Sequence, residues 1–182
     1  MIGIRFIRVQ PTTYLLQYKE GKVVREGAGM AFFYYAPTTS LVAVPIASTD
    51  APFIFNEVTN DFQEVSIQGQ GTYRVADPKK LSQLLNFTLD ASGQNYLSED
   101  PMKLPQRAIN VIKVLTRKEL QGLALRDALR ASDLIAERVM AGLQISSEIV
   151  SLGLEIIGLS ILAINRIPKP PEPWRPRRAN IC

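Results

Sequence analysis

Residues Val65 to Pro78, VSIQGQGTYRVADP, constrain this chain more than any other stretch, because apolar and polar side chains alternate along them until an aspartate-proline pair ends the run. Val65, Ile67, Tyr73 and Val75 fall on one face with Gly69 and Gly71 between them, while Ser66, Gln68, Gln70, Thr72 and Arg74 fall on the other. That is the period-two pattern of a half-buried strand. Asp77 stands where a helix N-cap is wanted and Pro78 where the first helical turn accepts a proline, so a β-layer hands over to helices at this point. Gly69 and Gly71 predict either a bulge or a place where a helix comes close to the sheet.

Upstream of this junction the chain reads as short strands at Ile2–Val9, Thr13–Tyr18, Lys22–Arg25, Met30–Tyr35, Leu41–Ala47, Phe53–Phe55 and Phe62–Val75. Glu20-Gly21 suits a hairpin tip and Asn60-Asp61 the opening of the longest strand. Downstream the spacing becomes helical. Leu81, Leu84 and Leu85 predict one face of a first helix, and Ser98-Glu99-Asp100-Pro101 starts a second that carries Leu104, Ala108, Val111, Ile112 and Leu115. Gly122 ends it, Asp127 to Arg130 predict a single turn, and Ser132-Asp133 start a third helix to Leu152, with Ile135, Val139, Leu143 and Ile149 or Val150 as its buried stripe. Gly153 stands at a left-handed cap position, and the β-branched LEIIGLSILAI of residues 154–164 predicts a last strand that returns to the first layer. The expected fold is α+β: an antiparallel β-layer over residues 2–76, helices over 78–152 and a closing strand over 154–164.

Charge narrows the function classes. The chain holds 21 basic and 17 acidic side chains; residues 166–182 hold five basic and one acidic, so residues 1–165 hold 16 of each and are neutral. The excess belongs to a proline- and arginine-rich tail rather than to the folded part, which argues against nucleic acid as a partner. Residues 1–165 are expected to form one domain, and 166–182 a disordered or polyproline-like tail. There is no histidine, and the single cysteine is Cys182. Zinc, haem and Ser-His-Asp chemistry lack their side chains, so no metal, no cofactor and no catalytic residue is expected. Arg5 and Arg8 interrupt the apolar N-terminus, and no apolar run nears the ~20 residues of a membrane span. The expected location is cytoplasmic, peripheral at the cytoplasmic membrane.

Phe32, Phe33, Tyr34 and Tyr35 are four consecutive aromatics. In a strand they alternate between faces, so two are core and the other two are candidates for contact with a membrane surface or a partner. Phe53 and Phe55 are candidates of the same kind, although burial against the sheet is the expectation for them and for Phe62. The carboxylate pairs Asp61/Glu64 and Glu99/Asp100 read as turn and helix-capping groups rather than as an acid and a base. Gly27-Ala28-Gly29 is not a phosphate loop, since no Gly-Lys-Ser/Thr follows.

The order of these signals resembles the SPFH or band 7 family of stomatins, prohibitins, flotillins and bacterial regulators of membrane proteases. The resemblance is carried by Lys22-Val23-Val24, then Glu26-Gly27-Ala28-Gly29, then Pro37, and above all by Phe62-Gln63-Glu64-Val65-Ser66-Ile67 leading into Thr72-Tyr73-Arg74-Val75-Ala76-Asp77-Pro78. Arg107, Val111 and Ile112, Arg130, and Leu152-Gly153-Leu154-Glu155-Ile156 with Leu159-Ser160-Ile161 extend it over residues 5–165. The resemblance implies a β-layer with helices, self-association into rings or cages, and a non-enzymatic membrane-associated scaffold that organises lipids or client proteins. The family's usual N-terminal membrane segment and its long coiled coil after the closing strand are expected to be missing from this chain. Two other readings stand beside it: a soluble adaptor that binds a protease or other client, and a small-ligand-binding or enzymatic domain, for which Arg74, Gln70 and Asp61 would have to meet in one deep pocket.

Overall fold

A computed structural model describes residues 3–168. Seven strands come first: β1 (Ile4–Arg8), β2 (Thr13–Lys19), β3 (Lys22–Ala28), β4 (Ala31–Tyr35), β5 (Thr39–Pro45), β6 (Thr49–Val58) and β7 (Glu64–Val75). The helices α1 (Pro78–Leu84), α2 (Asp100–Leu120), α3 (Leu125–Ala128), α4 (Ser132–Gln144) and α5 (Ser147–Ser151) follow, and β8 (Leu154–Arg166) closes the chain's described part. The fold is α+β, as the change of period at Pro78 predicts. The expectations for Ile2 and for residues 169–182 lie outside the described residues.

The strands form three antiparallel sheets rather than one layer: a β1–β4 ribbon, a β3–β2–β5 sheet and a β6–β7–β8 sheet. Glu20 and Gly21 both have positive φ, 50° and 75°, in the two-residue turn that joins β2 to β3. That backbone matches the twist of a tight hairpin. The closing strand does return to the β-layer, and it does so by pairing with β7 along its length, from Val75↔Leu154 to Val65↔Arg166. Gly153 sets it up. Its φ of 70° ends α5, its carbonyl accepts the N–H groups of Ala76 and Asp77, and a Cβ there would lie 2.7 Å from the Asp77 carbonyl oxygen. Only glycine meets both demands.

The main core lies between the β6–β7–β8 sheet and α2 and α4, where Phe53, Phe55, Val65, Ile67, Ile112, Ile135 and Val139 are buried together. Both readings of the β7 glycines hold. A Cβ on Gly71 would sit 2.7 Å from Ile112 of α2, so the absent side chain is what lets the helix approach, and a register shift marks a bulge opposite Gln68/Gly69. Asp77 caps α1 through the Lys80 N–H at 3.0 Å.

Several expectations are corrected. Leu84 is exposed, because α1 is short and the chain turns extended at Leu85, which carries Leu85 and Phe87 inward instead. The third helix is two helices: continuing from Leu143, its buried stripe would require Ser146 and Ser147, and a break at Ile145–Ser146 resets the phase so that Ile149 is buried and Val150 exposed. The single turn falls at Leu125–Ala128 rather than at Asp127 to Arg130. Phe62 is 81% exposed rather than packed on the sheet, and β7 starts at Glu64, two residues later than expected. The turn before it is locked by Thr59 and Gln63, which places Phe62 at φ 57° and outside the core. At 13 residues β8 is also longer than β7, which has 12.

Candidate functional site

The four-aromatic run is β4, and alternation divides it as a strand must. Phe32 and Tyr34 point into a small core with Ile7, Leu15, Leu41 and Ala43, while Phe33 is 73% exposed and Tyr35 is exposed beside it. Strand β1 pairs with β4 so that Phe6 lies opposite Phe33 and Ile4 opposite Tyr35. The Phe6 and Phe33 rings are 5.0 Å apart between centroids, within the range of favourable aromatic pairing. Ile4, Phe6, Phe33 and Tyr35 therefore make one continuous apolar strip on the outside of the ribbon.

Of the six expected contact residues, the ribbon leaves Phe33 and Tyr35 available and places Phe32 and Tyr34 beneath them. Phe53 and Phe55 are also buried, stacked at 5.2 Å under α2, with the Lys113 ammonium 5.7 Å from the Phe55 ring. Their burial matches the expectation and removes them from any surface contact. Ile4 and Phe6 were not among the expected contact residues. The alternation Ile4-Arg5-Phe6-Ile7 already places them on one face, but only pairing with β4 shows that this face continues the aromatic one.

Behind the strip, a cleft of about 440 Å³ separates the ribbon from the β2–β3 hairpin. Ile4, Phe33, Tyr34 and Tyr35 form one side, and Gln17, Lys19, Val24 and Arg25 the other. Leu15, Gln17 and Lys19 alternate onto one face of β2, so the wall grades from apolar core through a buried amide to an exposed ammonium. Arg25 lies opposite Gln17, and its guanidinium sits 4.6 Å from the Phe32 ring centroid. No carboxylate pairs with Lys19 or Arg25 among the described ion pairs.

The remaining polar clusters have structural duties. Arg117 of α2 grips Glu57 of β6 in two hydrogen bonds of 2.9 and 3.0 Å, which raises the already high guanidinium pKa. Asp61 accepts from the Thr59 hydroxyl and the Leu125 N–H, and these bonds hold its carboxyl below its ordinary value. Asp100 accepts the Asn86 N–H, and Glu99 pairs with Lys103 one turn on. Asp61 precedes the start of β7, whereas Arg74 lies near the strand's other end and pairs with Glu155, so Arg74, Gln70 and Asp61 do not converge on a pocket. No group of side chains suited to a metal ion occurs among the described residues. Nor is any described helix long and apolar enough to cross a membrane.

Comparison with curated proteins finds none that matches this chain. Comparison with known families matches residues 7–169 to the SPFH domain / Band 7 family. The match covers β2 through β8 and the end of β1, including the β7–Asp77–Pro78 junction and the Gly153 closure described above. With most of its length matched and its fold in the expected order of strands, helices and closing strand, this chain belongs to the SPFH domain / Band 7 family.

Proposed function

We propose that this chain is a non-enzymatic, membrane-associated scaffold of the SPFH/band 7 type, acting by self-association and by organising membrane or client proteins. The observation that carries the reading is the strip Ile4–Phe6–Phe33–Tyr35, which holds aromatic and branched side chains in water on a two-stranded ribbon. Exposed apolar side chains gathered on one face mark contact sites, and aromatic rings suit the headgroup zone of a bilayer. Peripheral attachment by the ribbon needs no spanning helix. Assembly brings many such strips to one surface, so that individually weak contacts add.

Flotation with phosphatidylcholine vesicles tests the membrane part. The wild-type chain is expected to float, and Phe6→Ser/Phe33→Ser to remain at the bottom with unchanged circular dichroism. A wild-type chain that never floats sinks the membrane reading and leaves the adaptor that binds a client protein. Light scattering over a concentration series tests the assembly part, because a strict monomer at every concentration removes the scaffold's mechanism.

A further inference from the structure

We infer that the cleft between the β4 ribbon and the β2–β3 hairpin is a binding site for the phosphate group of an anionic phospholipid, with Lys19 and Arg25 as its cationic side and Ile4, Phe33 and Tyr35 as its apolar rim. This rests on the membrane reading above and adds to it a lipid class and a place. Three observations support it. The cleft holds about 440 Å³, room for a headgroup rather than for a single ion. Its two cations lie on one sheet face: Arg25 is opposite Gln17, and Lys19 is two residues on along the same strand. Gln17 is only 5% exposed, yet it lines the cleft and adds a buried polar side chain to its wall.

Chemistry selects an anion with a hydrophobic neighbour. The Arg25 guanidinium lies over the Phe32 ring, 4.6 Å from its centroid, and a guanidinium carries the paired N–H groups that grip phosphate oxygens two at a time. Lys19 adds a point charge and the Gln17 amide a donor. No carboxylate of the described ion pairs neutralises Lys19 or Arg25, which leaves both charges to an incoming anion. The surrounding region agrees in sign. Residues 3–48 carry Arg5, Arg8, Lys19, Lys22 and Arg25 against Glu20 and Glu26, five basic to two acidic, and Glu26 is already bound by Lys79 at 2.7 Å. A free phosphate would use the cations and leave the rim idle. A phospholipid uses both, because three of the four ribbon residues that line the cleft, Ile4, Phe33 and Tyr35, belong to the exposed strip, so a chain seated on the bilayer places the cleft at headgroup depth.

The test is vesicle co-sedimentation with phosphatidylcholine alone and with phosphatidylcholine and phosphatidylglycerol in equal parts, at low salt. The wild-type chain is expected to prefer the anionic vesicles. Each basic group near an anionic surface contributes roughly fivefold in partitioning, so Lys19→Gln/Arg25→Gln should lose about 25-fold on anionic vesicles and almost nothing on neutral ones. Arg126→Gln/Arg130→Gln, on and just after α3, removes the same charge away from the cleft and is the control. Equal loss in the control would show diffuse attraction and overturn the site. Equal wild-type binding to both vesicle types would also overturn it while the membrane reading stands, whereas binding to neither would fail that reading itself. Glycerol phosphate in solution separates the sources: if it shifts the Lys19 and Arg25 side-chain resonances but anionic vesicles do not sediment the chain, the ligand is a soluble phosphate and the lipid assignment is wrong.

Discussion

The β1–β4 ribbon and the β6–β7–β8 sheet use the same side chains to opposite ends. Each carries a pair of aromatics two residues apart on a strand, Phe33 and Tyr35 on β4, Phe53 and Phe55 on β6. On β6 the pair is buried because α2 lies across it; on β4 the pair is exposed because its face carries no such cover among the described elements. Aromatic content therefore does not decide what becomes core. A covering layer does, and the chain places its long helices over one sheet and leaves the outer face of the ribbon exposed.

Truncating one residue from each pair should separate the two regions most clearly. Phe53→Ala removes a buried ring beneath α2 and is expected to cost about 3–5 kcal/mol in urea denaturation. Phe33→Ala removes a ring that is already in water and should stay within about 0.5 kcal/mol of wild type while weakening vesicle flotation. Comparable destabilisation by both would mean that the ribbon's outer face is covered in solution as Phe53 is by α2.

A smaller effect is expected where the covering helix is fastened. Glu57 is nearly fully buried and Arg117 half exposed, so Arg117→Met leaves a carboxylate without its two hydrogen bonds while keeping the length of the stem. The expected loss is about 2 kcal/mol, below that of a fully buried pair because water reaches the Arg117 side. Glu57→Gln/Arg117→Met should recover part of it, and a double-mutant cycle with no coupling would show that the pair does not hold α2 to the sheet. Smaller again, Gly71→Ala should cost about 1 kcal/mol, since the atom it meets is the movable end of Ile112. Ile112→Val in the same chain should relieve it.

Much of the fold is legible in the sequence, and the exceptions have physical causes. Alternation showed which β7 residues face inward, and the Asp77-Pro78 and Gly153 signals placed the change to helices and the return to β. Alternation shows faces but not partners, so three sheets looked like one. On β8 even the faces were obscured: the paired positions skip Ile157 and Leu162, the extra residues of two bulges, and LEIIGLSILAI loses its period twice. Placing bulges on an edge strand also makes it a poor template for another chain's strand. For the site, the four aromatics could be split into two pairs but not assigned, because that depends on which face the β3–β2–β5 sheet takes. The cleft was hidden by addition. Neutrality over residues 1–165 conceals an excess of basic side chains in residues 3–48, offset by residues 49–75, where Asp50, Glu57, Asp61 and Glu64 stand against Arg74 alone.

The smallest expected effect again contrasts the two regions, through one carboxylate in each. Asp90, in the loop that touches the ribbon through the Arg5–Ala91 hydrogen bond, accepts from Ser92, Asn95 and the Gln94 N–H and is held well below the usual carboxylate range. Asp61, in the turn tied to α3, is lowered mainly by the Thr59 hydroxyl. Because both folded-state pKa values lie below the ordinary 3.8, the stability these groups add is fully present above that value and is lost as pH falls through it toward the folded values. Thermal unfolding from about pH 7 down to about pH 2 should thus show Asp90→Ala and Asp61→Ala below wild type near neutrality and converging on it in acid. The larger convergence is expected for Asp90, whose shift is the greater. A gap that stays constant down to the lowest pH would show that the loops are held by packing rather than by their charged hydrogen bonds. Convergence confined to Asp61→Ala would show that the loop beside the ribbon opens in solution, which would make the ribbon the looser of the two regions.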